Sequence, residues 1–309
     1  MWKYVCKRLL MMLFVVIGVA ILIFTIMYFT PGDPAQILLG STATEEQIAA
    51  KRAEMGLDQP YIVQLGKFLL DTARLDFGTS YLYGTPIVQE LKVRFPRTLI
   101  LALSCMLVSL IGIPLGVIAA VHQGKWQDRV SIFVSMLGIS IPGFWLALMM
   151  VLLFSVKLGW LPPYGIGGPQ YYILPIISNS IGSIAMNARQ TRSGMLDVIR
   201  SDYVTTARAK GVKEHDVIYK HALKNALIPI ITLLGSAFGA SLGGTVVTET
   251  IFVMPGIGLY MTNGINNLDY PIVRSCVVIL AIIFSFIMLA VDLIYAMVDP
   301  RIKAEYIGK

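Results

Sequence analysis

From Leu9 to Phe29 not one side chain carries a charge. A helix needs about 20 apolar residues to cross the ~30 Å hydrocarbon core of a bilayer. Comparable runs cover Thr98–Val121, Val130–Val156, Tyr172–Ala188, Ala226–Thr248 and Ile272–Val298. The chain is 56% hydrophobic and 14% charged, with a mean hydropathy of +0.72, too little polarity for a water-soluble protein of 309 residues. The expectation is an all-α integral membrane protein with six transmembrane helices, a helical cytoplasmic loop and a small extracytoplasmic domain after the first helix. The first run follows Lys3, Lys7 and Arg8 like a signal peptide, but it is too long for one and no small-residue cleavage site follows it. It reads as an uncleaved first span.

Charge sets the orientation. Six spans put both termini on one side. The N-terminus, the 122–129 turn, the 189–225 segment and the C-terminal tail together carry 16 of the 25 Lys and Arg residues. Basic excess marks the cytoplasmic face, so those segments and both termini are placed inside. The chain then divides into residues 1–30 (inner end and first span), 31–96 (an outward domain) and 97–309 (the transmembrane core). Within 31–96, Thr44 and Gln47 form a capping-box pattern opening a helix through Met55, Gly56 to Pro60 stops it, and a second helix runs from Tyr61 to about Leu75. Proline interrupts span 2 at Gly112-Ile113-Pro114-Leu115-Gly116 and span 3 at Ile141-Pro142-Gly143. The segments 159–171 and 250–271 read as outer connections.

Several chemistries are missing from the sequence. No GxxxxGK cradles a nucleotide, and neither HExxH nor GxSxG is present. His122, His215 and His221 have no metal-ligand spacing, and Cys6, Cys105 and Cys276 read as buried thiols. No basic tract is interleaved with stacking aromatics, which excludes a nucleic-acid partner. Gly235, Gly239 and Gly243 share one face of span 5, where another helix can approach closely. That helix belongs either to the same chain or to a second subunit at a translocation path. Asp292, in span 6, is the one feature pointing to ion-coupled transport, and it lies near enough to the interface for hydration or an ion pair.

The segment Asp202–Pro229 stands apart. Met195, Ile199, Tyr203 and Ala207 make an apolar stripe that predicts an amphipathic helix to Ala209. Gly211 breaks it, and a second helix runs from Lys213 to about Leu223. Arg208, Lys210 and Lys213 surround a bend with little bulk. The residues allow two readings: a helix lying on the inner lipid surface, or a projection that enters a cleft on a partner.

This segment resembles the coupling loop of ATP-binding-cassette importer permeases, in its dipeptide/oligopeptide/nickel version. Asp202, Tyr203, Thr206 to Gly211, His221 to Leu223, Asn225 to Leu227 and Pro229 fit that version. The general form has Glu-Ala-Ala where this chain has Thr205, Thr206 and Ala207. The motifs at 31–34, 56–60, 76–80, 112–116, 159–163, 249–258, 269–273 and 299–302 stand in the order of the first-permease branch. The resemblance implies a non-enzymatic subunit forming half of a pathway with a second homologous permease. It implies two cytoplasmic ATPases that bind ATP and Mg, and an extracytoplasmic binding protein that delivers peptides; nickel or a metal chelate, glutathione and oligosaccharides are the alternative cargoes. The chain itself binds no cofactor or metal, and sits in a bacterial or archaeal cytoplasmic membrane among lipid. Thr205, Thr206, Ala207, Arg208, Ala209, Lys210, Gly211, Val212, Lys213 and Glu214 would couple to the ATPases.

Overall fold

The computed structural model describes residues 2–298; the motif at 299–302 and the basic tail lie outside the described residues. Fourteen α-helices are described: α1 (Trp2–Phe29), α2 (Pro34–Leu39), α3 (Glu45–Glu54), α4 (Tyr61–Ala73), α5 (Ile87–Ser109), α6 (Gly112–Val121), α7 (Trp126–Ser140), α8 (Gly143–Met150), α9 (Gln170–Ile199), α10 (Asp202–Ala209), α11 (Glu214–Asp216), α12 (Leu223–Ile251), α13 (Ile257–Asn266) and α14 (Tyr270–Val298). Val151–Lys157 and Val217–Ala222 wind as π-helix. Thr79 and Pro86 form an isolated β-bridge. The chain falls into two compact units, Met1–Thr98 with Met254–Phe286, and Leu99–Val253 with Ile287–Lys309.

Among the described residues three helical stretches are long and apolar enough to cross a membrane: Cys6–Phe29, Ile87–Val121 and Tyr270–Leu293. The second starts well before Thr98, because α5 runs unbroken through Pro96. Span 3 departs most from expectation. α7 and α8 meet at 94°, as a broken span or a re-entrant loop, and not as a kinked rod. Pro142 cannot donate to the helix and forces Ile141 into extended backbone, φ −79° and ψ 122°.

In the first unit, the capping box at α3 forms as expected. The Gln47 N–H donates to Thr44 Oγ1 at 3.3 Å, and the Thr44 N–H to Gln47 Oε1 at 2.9 Å. Asp33 caps α2 through the Ala35 N–H at 3.0 Å and pairs with Arg52 on α3 at 2.8 Å. Asp269, 1% exposed, accepts from Ser80 Oγ (2.6 Å) and from the N–H groups of Tyr81 (3.2 Å) and Leu82 (3.1 Å). A buried carboxylate needs such donors, and this one ties the 76–86 turn to the head of α14. The 250–271 segment, expected as a connection, contains α13. Ile257 and Tyr260 of that helix are buried beside Ile87, Leu91, Ile272 and Cys276.

In the second unit, α6 lies backbone to backbone on α9. A Cβ on Gly112 would meet the Ile184 carbonyl at 2.3 Å, and one on Gly116 the Ala188 carbonyl at 2.4 Å. Pro114 has no N–H for the Leu110 carbonyl, which accepts from Ile113 at 3.0 Å instead. That shift frees the Ser109 carbonyl, and buried Asn187 donates to it at 3.0 Å. Cys105 and Cys276 are buried as expected. Cys6 is exposed on α1, most of whose described side chains are exposed.

Candidate functional site, a helical hairpin at residues 202–222

The single amphipathic helix expected from Met195 to Ala209 is two helices. α9 carries on out of the fourth apolar run to Ile199, turns at Arg200 and Ser201, and restarts as α10. The break rephases the stripe. Val204 (0% exposed) takes the inward place expected of Tyr203, which is 45% exposed and accepts from Asn225 Nδ2 at 3.0 Å. The return helix is likewise not a separate element. It begins at Glu214, passes through the π turns of 217–222 and continues into α12 without interruption.

The bend between the two arms is closed by its backbone. Gly211 has φ +79°, in the left-handed region where only a residue lacking Cβ sits without strain. Its N–H donates to the Arg208 carbonyl at 2.9 Å, and the Val212 N–H reaches back to the Ala207 carbonyl at 3.3 Å. These are the paired bonds of a Schellman motif, with Val212 packed against the apolar cluster that contains Ala207. A side-chain clamp spans the same bend. Arg208 grips Glu214 with both ends of its fork, NH2 to Oε1 at 2.8 Å and Nε to Oε2 at 3.1 Å. Hydrogen bonding to Arg208 holds the Glu214 carboxyl below its ordinary range. Lys220 does the same to Asp216 one turn on.

The hairpin is seated on an apolar base of Val204, Ala207, Val217, Ile218 and Ala222 against Val117 and Ala120 of α6 and Met195 of α9. Beneath it Asp128, 3% exposed, accepts from Arg192 NH2 at 2.9 Å and from the Gly124 N–H at 2.9 Å, fixing the 122–125 turn to α9. This pair had no signal in sequence, since its partners lie 64 positions apart and neither belongs to a motif.

The structure divides the ten residues singled out. Thr205, Thr206, Arg208, Ala209, Lys210, Gly211, Lys213 and Glu214 are exposed, Val212 is half-buried, and Ala207 is turned into the apolar base. The exposed ridge of the hairpin is therefore small-residue and basic, and Ala207 belongs to the apolar base instead. The glycines of α12 also divide. A Cβ on Gly235 would lie 2.3 Å from Cγ2 of Val291 on α14; Gly239 is buried; Gly243 is exposed with nothing within 4 Å of the Cβ position. The first is committed to packing within the chain and the last is open. Among the described residues no three His, Cys, Asp or Glu side chains gather as a metal site.

The sequence profile described as binding-protein-dependent transport system inner membrane component matches residues 112–304, and its N-terminal companion matches residues 1–102. The dipeptide transport system permease protein DppB of Alkalihalophilus pseudofirmus is 41% identical, covering 98% of this chain and 100% of that protein. The glutathione transport system permease proteins GsiC of Salmonella choleraesuis and of Escherichia coli strain K12 are 40% and 39% identical, over 98% of this chain and 99% of theirs. Among solved structures, two inward-facing crystal forms of the methionine ABC transporter MetNI match with TM-scores of 0.58 and 0.59, at 20% and 21% identity. Each covers 69% of this chain and 98% of the other, a likeness of fold. The chain belongs to the binding-protein-dependent transport system inner membrane component family, as an ABC importer permease of the dipeptide/oligopeptide branch.

Proposed function

We propose that this permease imports short peptides and is driven through the 205–214 bend by separate ATPase subunits. One observation carries the reading: an exposed basic bend, closed by the Gly211 turn and the Arg208–Glu214 clamp, on a mount continuous with α12. A flexible loop would absorb a push, whereas this one transmits it to the helices that carry it. Two such ATPases bind ATP and Mg, and their closure moves the hairpins of this chain and of a second homologous permease. The chain contributes no nucleotide site and binds no cofactor of its own. The peptide cargo is supported by the relatives, whose named substrates, a dipeptide and glutathione, are both small peptides. Either fits the reading.

The topology follows from the same argument. α9 and α12, of 30 and 29 residues, are long enough to cross a bilayer together with α1, α5–α6, the bent α7–α8 pair and α14, giving six passes. The hairpin and both termini lie in the cytoplasm, and residues 31–96 face outward as the small domain that meets an extracytoplasmic binding protein. Uptake of a labelled dipeptide by cells with and without this chain tests the assignment, with glutathione and nickel as competing cargoes. Uptake that ends on ATP depletion supports it. Uptake that persists without ATP and collapses with a proton or sodium gradient would make the chain a secondary transporter.

A further inference from the structure

Two cavities, of about 530 and 500 Å³, open within the unit of residues 1–98 and 254–286, and Arg274 lines both. Its guanidinium lies over the rings of Phe24 (5.0 Å), Phe68 (5.5 Å) and Tyr270 (5.6 Å). The rings answer the face of the cation. The rings do nothing for the N–H groups in its plane; Tyr81 hydrogen-bonds the guanidinium, and Nε is buried with no acceptor. Arginine remains charged at any physiological pH, so this donor cannot be silenced by losing a proton. The partner that fits a planar donor fork is a planar oxyanion.

The rest of the larger cavity narrows the ligand. Arg52 and Asp33 line it but neutralise each other at 2.8 Å. That leaves Arg274 and Asp58, one cation and one anion, neither in an ion pair among the described residues. Phe24, Tyr28 and Tyr270 supply an apolar wall. A phosphate would bring two negative charges to a lining that has one free positive group and an opposing carboxylate. A zwitterion balances both. The volume lies within the ~300–1,000 Å³ range of small-molecule sites.

We propose that this cavity binds a short peptide in zwitterionic form, its α-carboxylate on Arg274 and its α-ammonium on Asp58. The choice of ligand rests on the peptide-import reading, and the site is a way-station for cargo in this unit.

The test uses the purified full-length chain in detergent, with thermal unfolding followed in glycylglycine, glycylglycinamide, N-acetylglycylglycine and inorganic phosphate. Glycylglycine should stabilise the chain at concentrations at least about tenfold lower than either blocked peptide or phosphate, the loss expected for one missing charge-assisted contact of about 1.4 kcal/mol. Arg274→Gln should erase the preference for the free acid over the amide, and Arg274→Lys should retain part of it. Asp58→Asn, a change at an exposed position, should erase the preference over the N-acetyl peptide even where the arginine variants fail to fold. Equal stabilisation by all three peptides, tighter binding of phosphate, or preferences that survive these substitutions would overturn the site. Wild-type chain that shows the preferences while cells import no peptide would instead overturn the import reading and leave the site standing.

Discussion

Gly211 separates two effects that most glycine substitutions confound. Its φ of +79° makes any L-residue strained there, yet a Cβ at that position meets nothing within 4 Å. The cost of Gly211→Ala is therefore backbone alone, about 1 kcal/mol, or about fivefold in the population of the closed bend. Asparagine tolerates the left-handed region better, so Gly211→Asn should stay within about twofold of wild type. Gly211→Arg carries the same backbone cost as alanine, since its Cβ meets nothing and the position is exposed in the isolated chain. Any further loss reports a surface that must fit against the bend. Co-purification of tagged ATPase subunits with the full-length chain, and ATP-driven dipeptide uptake, give the two readouts. The expected order is Asn, then Ala about fivefold weaker, then Arg weaker than Ala by at least another factor of about ten, as for a wrongly filled interface pocket. Arginine and alanine behaving alike would remove the bend from the docking surface. Alanine equal to wild type would refute the conformational account.

Asp128→Asn leaves Arg192 without its buried counter-charge and should destabilise the chain by about 3 kcal/mol in thermal or denaturant unfolding. Asp128→Asn with Arg192→Gln should cost less than the two single changes summed, because neither charge is then stranded. Asp269→Asn weakens three donors' shared acceptor and should cost about 2 kcal/mol, read as faster proteolysis within residues 76–86. The Arg208–Glu214 clamp has a depressed carboxyl in the folded hairpin. Its contribution is present above the unfolded glutamate value of about 4.3 and fades as pH falls through the lowered folded value. ATPase association should therefore be flat from about pH 6 to 8 through this pair and weaken below about pH 4, and Glu214→Gln should weaken it across the flat range while making little difference at the acid end.

Much of this was legible in the residues because it is written in local terms. A capping box, a glycine stop and a run without charges each act within a few positions, and Thr44, Gly56, Gly211 and the first apolar run folded as read. The failures share a cause. The stripe through Tyr203 presupposes one helix from Met195 to Ala209, and the turn at Arg200–Ser201 shifts the phase so that Val204 is buried instead. α13 was hidden because its glycines and asparagines read as loop, while burial of Ile257 and Tyr260 against α5 and α14 overrides that weak preference. Pro142 announced a break in span 3 but not its angle, which neighbouring helices decide. Asp128 with Arg192, and Asp269 with Ser80, join positions far apart in the chain, and one sequence has no means of expressing such pairs.

The unbroken winding from Glu214 through α12 to Ile251 has a mechanical consequence. At about 1.5 Å per residue it is a shaft roughly 55 Å long, with the hairpin as its handle. A tilt of about 5° at the handle sweeps the far end through about 5 Å, close to one helical pitch. The exposed Gly243 stands well along that shaft. If the bend is driven as proposed, whatever lies against Gly243 is moved by leverage, with no need for the bend itself to travel far or for any side chain to relay the stroke.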